Sequence, residues 1–183
     1  MHKLVKSQKE RDLFHRIKKS VWDEKGFDME YAKEGSDLYL IYAEDGVPGG
    51  TFEFTPYSRF TASIMKELFN DVIEKDMRVM EIDSFAVLPQ YRGKLGRQIM
   101  CLVIDYAQKN GYTHAIGISD PAVFRSFNNT YQIRTIQVKE KIWYKGAEVI
   151  PALLHLKEVY DNIEDEKFSW FIRPNEMRKG VFI

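Results

Sequence analysis

The run from residue 79 to residue 110 constrains this chain more than any other segment. Residues 79–88 read as the strongest strand in the sequence. Residues 95–110 read as its strongest helix, apolar around most of its circumference between Ile99 and Ala107 and therefore buried on more than one side. Gly111 stands where such a helix stops. A strand that feeds a deeply buried helix needs a sheet beside it and further cover around it, which predicts a layered α/β architecture.

The rest of the chain supplies those partners. Residues 2–5 read as a short strand. Ser7-Gln8-Lys9-Glu10 has capping-box spacing, and Leu13, Phe14, Ile17 and Val21 continue at helical intervals, so a helix is expected over residues 8–24 with Gly26 as its stop. Residues 38–43 and 49–55 read as a hairpin across the turn formers Glu44 to Pro48. Met65, Leu68, Phe69, Val72 and Ile73 form the apolar stripe of a second helix. A strand at 113–118 and a short helix at 121–129 follow. Two strands, 133–144 and 147–156, are joined by Lys145-Gly146. The order β-α-β-β-α-β-α-β-α-β-β predicts a mixed α/β (α+β) fold. Residues 1–160 are expected to form one domain. Residues 161–183 read as a C-terminal extension that opens on a solvated charge run and docks back through Phe168, Trp170 and Phe171.

Composition narrows the function. Apolar residues make up 44% of 183, enough for one substantial core. Lys plus Arg number 27 and Asp plus Glu number 27, a balance that argues against a whole-surface binder of nucleic acid or anionic membrane. The single cysteine, Cys101, excludes an internal disulfide framework and sits in an apolar helix as a small hydrophobe. His2, His15, His114 and His155 fall on different elements, and no metal spacing is present. Trp22, Trp143 and Trp170 read as core or docking residues. The N-terminus lacks the apolar segment of a secretory signal, and no apolar run has the roughly 18 residues of a membrane span. A soluble, cytoplasmic protein without a metal is expected.

The loop between the strong strand and the strong helix carries two glycines and three cations. Helix N-termini present unpaired N–H groups and partial positive charge, and glycines let an anion approach the backbone. Arg92, Lys94 and Arg97 would supplement this for a pyrophosphate. By spacing alone, an ordinary strand-to-helix turn with solvated cations fits equally well. On the strand itself, Glu81 and Asp83 share one face about 7 Å apart. Two acids there require a cavity, a cation or solvent.

Pro89-Gln90-Tyr91-Arg92-Gly93-Lys94-Leu95-Gly96-Arg97 resembles the acyl-CoA-binding motif of the GNAT superfamily of N-acetyltransferases. The strand before it, the helix after it and the element order from about residue 2 to 156 are similar too. The resemblance implies a central mixed, twisted sheet flanked by helices. It implies that backbone groups of Phe85, Ala86 and Val87 pair with the pantetheine arm. The pyrophosphate would be held by Arg92, Gly93, Lys94, Leu95, Gly96 and Arg97. The co-substrate would be acetyl-CoA or a longer acyl-CoA, and the acceptor a small-molecule amine. The usual loop, Arg-Gly-x-Gly-x-Gly, is one residue longer than the loop here. The tyrosine that many members place near the thioester sulfur falls at Phe127, with Tyr131 four residues on.

A narrower likeness is to the acyl-homoserine-lactone synthases, which share the fold and take acyl groups mainly from acyl carrier protein. Their Glu-x-Ser-Arg-Phe strand motif aligns with Glu81-Ile82-Asp83-Ser84-Phe85, where Asp83-Ser84 replaces Ser-Arg. Glu81 keeps the acidic position and is the candidate base. The resemblances thus imply an N-acyltransferase working by direct attack of an amine. An N-acyl amino acid synthase fed by acyl carrier protein, a non-catalytic acyl-CoA sensor and acylation of a protein lysine stay open beside it.

Overall fold

A computed structural model describes residues 1–57 and 63–174 of the chain. Eight strands form one sheet: β1 (His2–Leu4), β2 (Asp37–Tyr42), β3 (Pro48–Pro56), β4 (Val79–Val87), β5 (His114–Ser119), β6 (Thr135–Gln137), β7 (Ile142–Tyr144) and β8 (Ala147–His155). They lie in the order β1-β2-β3-β4-β5-β8-β6, with β7 also on β8. Only β4 and β5 run parallel; every other neighbouring pair is antiparallel. The helices are α1 (Gln8–Lys25), α2 (Ser63–Phe69), α3 (Leu95–Asn110), α4 (Pro121–Asn129) and α5 (Leu156–Asp161).

Strand alternation sorts the side chains into two faces. Phe52, Phe54, Met80 and Ile82 pack with Ile99, Met100, Val103 and Ile104 of α3 in the main core. On the opposite face Leu38 and Leu40 meet Phe14 and Ile17 of α1, while Val79, Ile116 and Leu153 meet α2. The α1 face also carries Thr51, Glu53, Thr55 and Glu81, all buried. A sheet centre this polar must be satisfied from the covering layer, and that need builds the site.

Local signals act as read. Ser7 Oγ accepts from Glu10 N at 3.3 Å while Ser7 N donates to Glu10 Oε2 at 3.0 Å. Gly26 ends α1 at φ 77° and Gly111 ends α3 at φ 69°, a left-handed conformation that glycine adopts without a Cβ penalty.

Two expectations need correction. The strand expected over residues 133–144 is two short strands. β6 pairs Gln137 with Ala152, whereas β7 pairs Ile142 with Val149, so residues 138–141 bulge opposite Ile150 and Pro151. Pro151 has no N–H to donate to the ladder, and the charged run Lys139-Glu140-Lys141 gains from leaving the sheet edge. Trp143 is a second correction: it is exposed on β7 and packs in no core. In the C-terminal extension Phe168 is buried in the main core, with Trp170 and Phe171 packed against it. Residues 175–183 of that extension lie outside the described residues.

Candidate active site

β4 and β5 pair over three rungs, Val79 with His114, Met80 with Ala115 and Glu81 with Ile116, and then part. Beyond Glu81 the β5-facing edge of β4 has no strand partner among the described residues. A cleft of about 130 Å³ opens in the fork, walled by Ile82 to Phe85 on one side and Ile118 to Asp120 on the other. Gly117 stands at the crotch, where a Cβ would meet the Ile82 carbonyl at 3.0 Å.

The fork coincides with a bulge in β4. Ser84 has φ 56°, and the β3–β4 register breaks between Thr51 and Glu53. Side chains replace the lost ladder bonds. Ser84 N donates to Asp83 Oδ1 at 2.5 Å, Thr51 Oγ1 donates to the Ser84 carbonyl at 2.8 Å, and Ser84 Oγ donates to Glu53 Oε2 at 2.8 Å. A non-glycine residue held at positive φ costs roughly 1–3 kcal/mol, and three side-chain bonds hold it there. The bulge also inverts the alternation, so Phe85 and Val87 turn to the α3 face while Glu81 and Asp83 stay on the α1 face.

The residue that completes the site carried no sequence signal. Residues 27–36 form an irregular connection from α1 to β2, and Lys33 reaches from it into the cleft. Its Nζ donates to Glu81 Oε1 at 2.5 Å and to Asp83 Oδ2 at 3.2 Å. Its backbone N–H donates to Glu53 Oε1 at 2.8 Å. The neighbouring Ala32 N donates to His15 Nε2 at 3.2 Å, which ties the connection to α1.

Electrostatics separate the two acids. Burial pushes the Glu81 carboxyl up to about 8, against the opposing pull of the Lys33 ammonium and with help from the charge of Asp83. Asp83 is held down at about 2: burial works against its ionisation, but the ammonium groups of Lys33 and Lys18 and the Ser84 amide outweigh it. Lys33 is raised, because Asp83 and Glu81 outweigh the burial that alone would lower it. Lys18 is lowered by burial; its ammonium is fully enclosed, without a hydrogen-bond partner among the described residues, 4.1 Å above the Trp22 ring. One oxygen of the site is left over: Glu81 Oε2 is buried and accepts no hydrogen bond among the described residues.

The acids expected to share a face do meet, in the cleft. Phe85 lines it too, whereas Ala86 and Val87 are buried further along the splayed end of β4. The stretch 92–97 stands apart, at the start of α3. Arg92 is bound by Glu24 through two hydrogen bonds of 2.8 and 2.7 Å. Gly93 takes φ 78°, Lys94 precedes α3 without a side-chain cap, and Leu95 is buried. A Cβ on Gly96 would lie 3.1 Å from the Tyr131 hydroxyl, and Arg97 Nε donates to the Trp170 carbonyl at 2.5 Å. Two of the three cations thus already have internal partners. Phe127 lines the cleft and is buried.

Other residues fall out as follows. Trp22 lines the cleft from α1. Cys101 is buried, and burial pushes its thiol up to about 11, which removes it as a nucleophile at neutral pH. His114 and His155, distant in sequence, meet across β5 and β8 with Nε2 and Nδ1 3.1 Å apart. No group of three or more metal-ligating residues occurs among the described residues.

Residues 7–134 match the acetyltransferase (GNAT) family. No curated protein matches the chain. Among solved structures it is similar to FeeM, an N-acyl amino acid synthase from uncultured soil microbes, at 14% identity and a TM-score of 0.68, covering 86% of this chain and 92% of that one. It is also similar to MesI, a CoA-dependent acyl-homoserine lactone synthase, at 13% identity and TM-score 0.65, covering 100% and 97%. A third is BjaI, a CoA-dependent acyl-homoserine lactone synthase solved with SAM and isopentyl-CoA, at 16% identity and TM-score 0.63, covering 96% and 91%. At these identities the likeness is one of fold. The matched family covers most of the chain, including the forked strand pair, the loop and α3, and the chain belongs to the acetyltransferase (GNAT) family.

Proposed function

We propose that this protein moves an acyl group from an acyl-CoA thioester to an amine, with Glu81 as the base. Acyl transfer follows from the family. The observation that carries the finer reading is Glu81 Oε2, a buried acceptor with no hydrogen bond at the fork of β4 and β5.

An alkylamine has a pKa near 10.4, so at pH 7 only about one molecule in two thousand is neutral and nucleophilic. A base with a pKa near neutrality suits the removal of that proton. In the proposed step the ammonium proton passes to Glu81 Oε2, the neutral nitrogen attacks the thioester carbonyl carbon, the C–N bond forms and the C–S bond breaks. The nitrogen's remaining surplus proton goes to the departing thiolate, and CoA leaves as the thiol. A thiol resembling cysteine, with a pKa near 8.5, leaves without a strong acid, so phenylalanine at position 127 is compatible with turnover. The unpaired edge of β4 from Ile82 onward offers backbone groups to the pantetheine arm and to the oxyanion. The uncapped amides of Leu95, Gly96 and Arg97 offer themselves to the pyrophosphate. Acetyl-CoA or a longer acyl-CoA is the proposed donor, in the cytoplasm; no described helix is long and apolar enough to cross a membrane.

The test is thermal stabilisation by acetyl-CoA, by a long-chain acyl-CoA and by an acylated carrier protein, followed by thiol release with an amine panel. A donor at a hundredfold over its dissociation constant adds about 2.7 kcal/mol. Stabilisation by the carrier protein alone would replace CoA as donor. Stabilisation by acyl-CoA without thiol release would make the protein a sensor.

A further inference from the structure

We infer that the acceptor is an amine carrying one positive charge and no carboxylate. The inference rests on the proposed transfer reaction and concerns the chemical class that its cleft accepts.

Its basis is the charge left unmatched in the cleft wall. The cations lining the cleft among the described residues are Lys33 and Lys145. Lys33 is committed to Glu81 and Asp83, and Lys145 is paired with Glu30. The acids lining it are Glu30, Glu81, Asp83 and Asp120. Asp120 is spent on the start of α4, where its Oδ1 accepts from Ala122 N at 2.7 Å and sits in the positive end of that helix. Once Lys145 matches Glu30 and Lys33 matches one of its two acids, a single carboxyl group is left without a cation of its own, whether it carries its proton or not. Its unsatisfied oxygen is identifiable: Glu81 Oε2, on a residue only 4% exposed. That oxygen can take one ammonium, or the proton of one amine.

The cleft already displays how it holds an alkylammonium. The Lys145 ammonium is paired with Glu30 and lies 4.9 Å from the Tyr144 ring centroid and 5.9 Å from that of Trp22. An acid beside aromatic faces is a cation site. Lys145 fills it with the chain's own amine, so a second substrate ammonium has no open acid and a diamine gains nothing over a monoamine. Lys145 is fixed in this place by the hairpin: its carbonyl accepts from Asp28 N at 2.9 Å, and a Cβ on Gly146 would lie 2.5 Å from the Gly26 carbonyl. Among the described residues a substrate carboxylate would meet two acids and no uncommitted cation. The enclosed Lys18 does not line the cleft and so does not offer itself, and the buried Glu53, also outside the lining, offsets its charge in the count.

The experiment measures CoA thiol release from acetyl-CoA with matched pairs: phenethylamine and phenylalanine, tyramine and tyrosine, putrescine and ornithine. The expected result is that the carboxylate-free monoamines exceed their amino acids at least tenfold in kcat/KM, with putrescine no better than the monoamines. Glu30→Gln frees the Lys145 ammonium, so in that variant the ratio should shift at least tenfold toward the amino acid. A wild-type preference for the amino acids, or a ratio unmoved by Glu30→Gln, overturns the inference while leaving acyl transfer in place. Thiol release with none of the pairs, from acetyl-CoA or from a long-chain acyl-CoA, overturns both.

Discussion

Lys33 and Glu81 stand 48 residues apart in the chain, yet the Lys33 ammonium donates to Glu81 Oε1 at 2.5 Å. Burial drives the Glu81 carboxyl up and Lys33 limits the rise. If Glu81 is the proposed base, burial and this contact together set the pH at which it becomes available. In the free enzyme kcat/KM should rise with pH through about 8, as Glu81 loses its proton. Ionisation of the acceptor amine adds a steady slope beneath this, and the inflection is the feature to measure. Lys33→Met removes the opposing cation, so the inflection should move to higher pH; Lys33→Arg should hold it near its place. A profile that Lys33→Met leaves unmoved would dismiss Glu81 as the titrating base.

Glu81→Gln should lower kcat by about a hundredfold or more, the range for a positioned base, with acyl-CoA affinity nearly unchanged because the donor is proposed to contact backbone. Its stability should respond to pH in a definite direction. The folded pKa of Glu81, about 8, lies above its ordinary 4.5, so folding favours the protonated group. That contribution is complete below about pH 4.5 and is lost as pH rises through about 8. Glutamine stays neutral, so the melting temperature of Glu81→Gln relative to wild type should climb between pH 5 and pH 9. A relative melting temperature that falls over this range would contradict the raised pKa.

Arg92 binds Glu24 through two hydrogen bonds on an exposed surface, where solvent screening leaves such a pair little net worth. If CoA phosphate competes for that guanidinium, Glu24→Gln should tighten CoA binding a few-fold, and Arg92→Ala should weaken it. Both differences should shrink as salt rises, because exposed charges are screened. Calorimetric titration at two salt concentrations measures this, and affinities identical in both variants would remove Arg92 from the donor site.

Cys101 is enclosed between α3 and the segment around Trp170, with Ile172 N donating to its sulfur at 3.4 Å. Direct transfer needs no acyl-enzyme, so Cys101→Ala should keep most of the activity. Its cost should appear as lost packing in the melting temperature. Intact mass after mixing with acyl-CoA should show no adduct; an acyl group on Cys101 would replace direct attack with a two-step route.

Where side-chain period and caps are local properties, the chain's order alone determined the outcome. Ser7 and Glu10 start α1, Asp120 and Pro121 start α4, and the apolar circumference of residues 99–107 buries α3, because each signal acts within one or two turns of its own backbone. Glu81 and Asp83 were legible for the same reason, as two acids at period two on a strand. The split of residues 133–144 was not, since it depends on Pro151 arriving opposite from another strand. Nor was Lys33, one lysine in an irregular connection, whose meaning comes from the acids on β4 that it faces. The same holds for the commitments of Arg92 to Glu24 and Lys145 to Glu30, and for the bulge at Ser84 that turns Phe85 away from Glu81. Charge pairing and burial are set by distance in space and not along the chain. Only the tertiary structure could therefore decide which carboxylate sits near neutrality and which lysine is already spent.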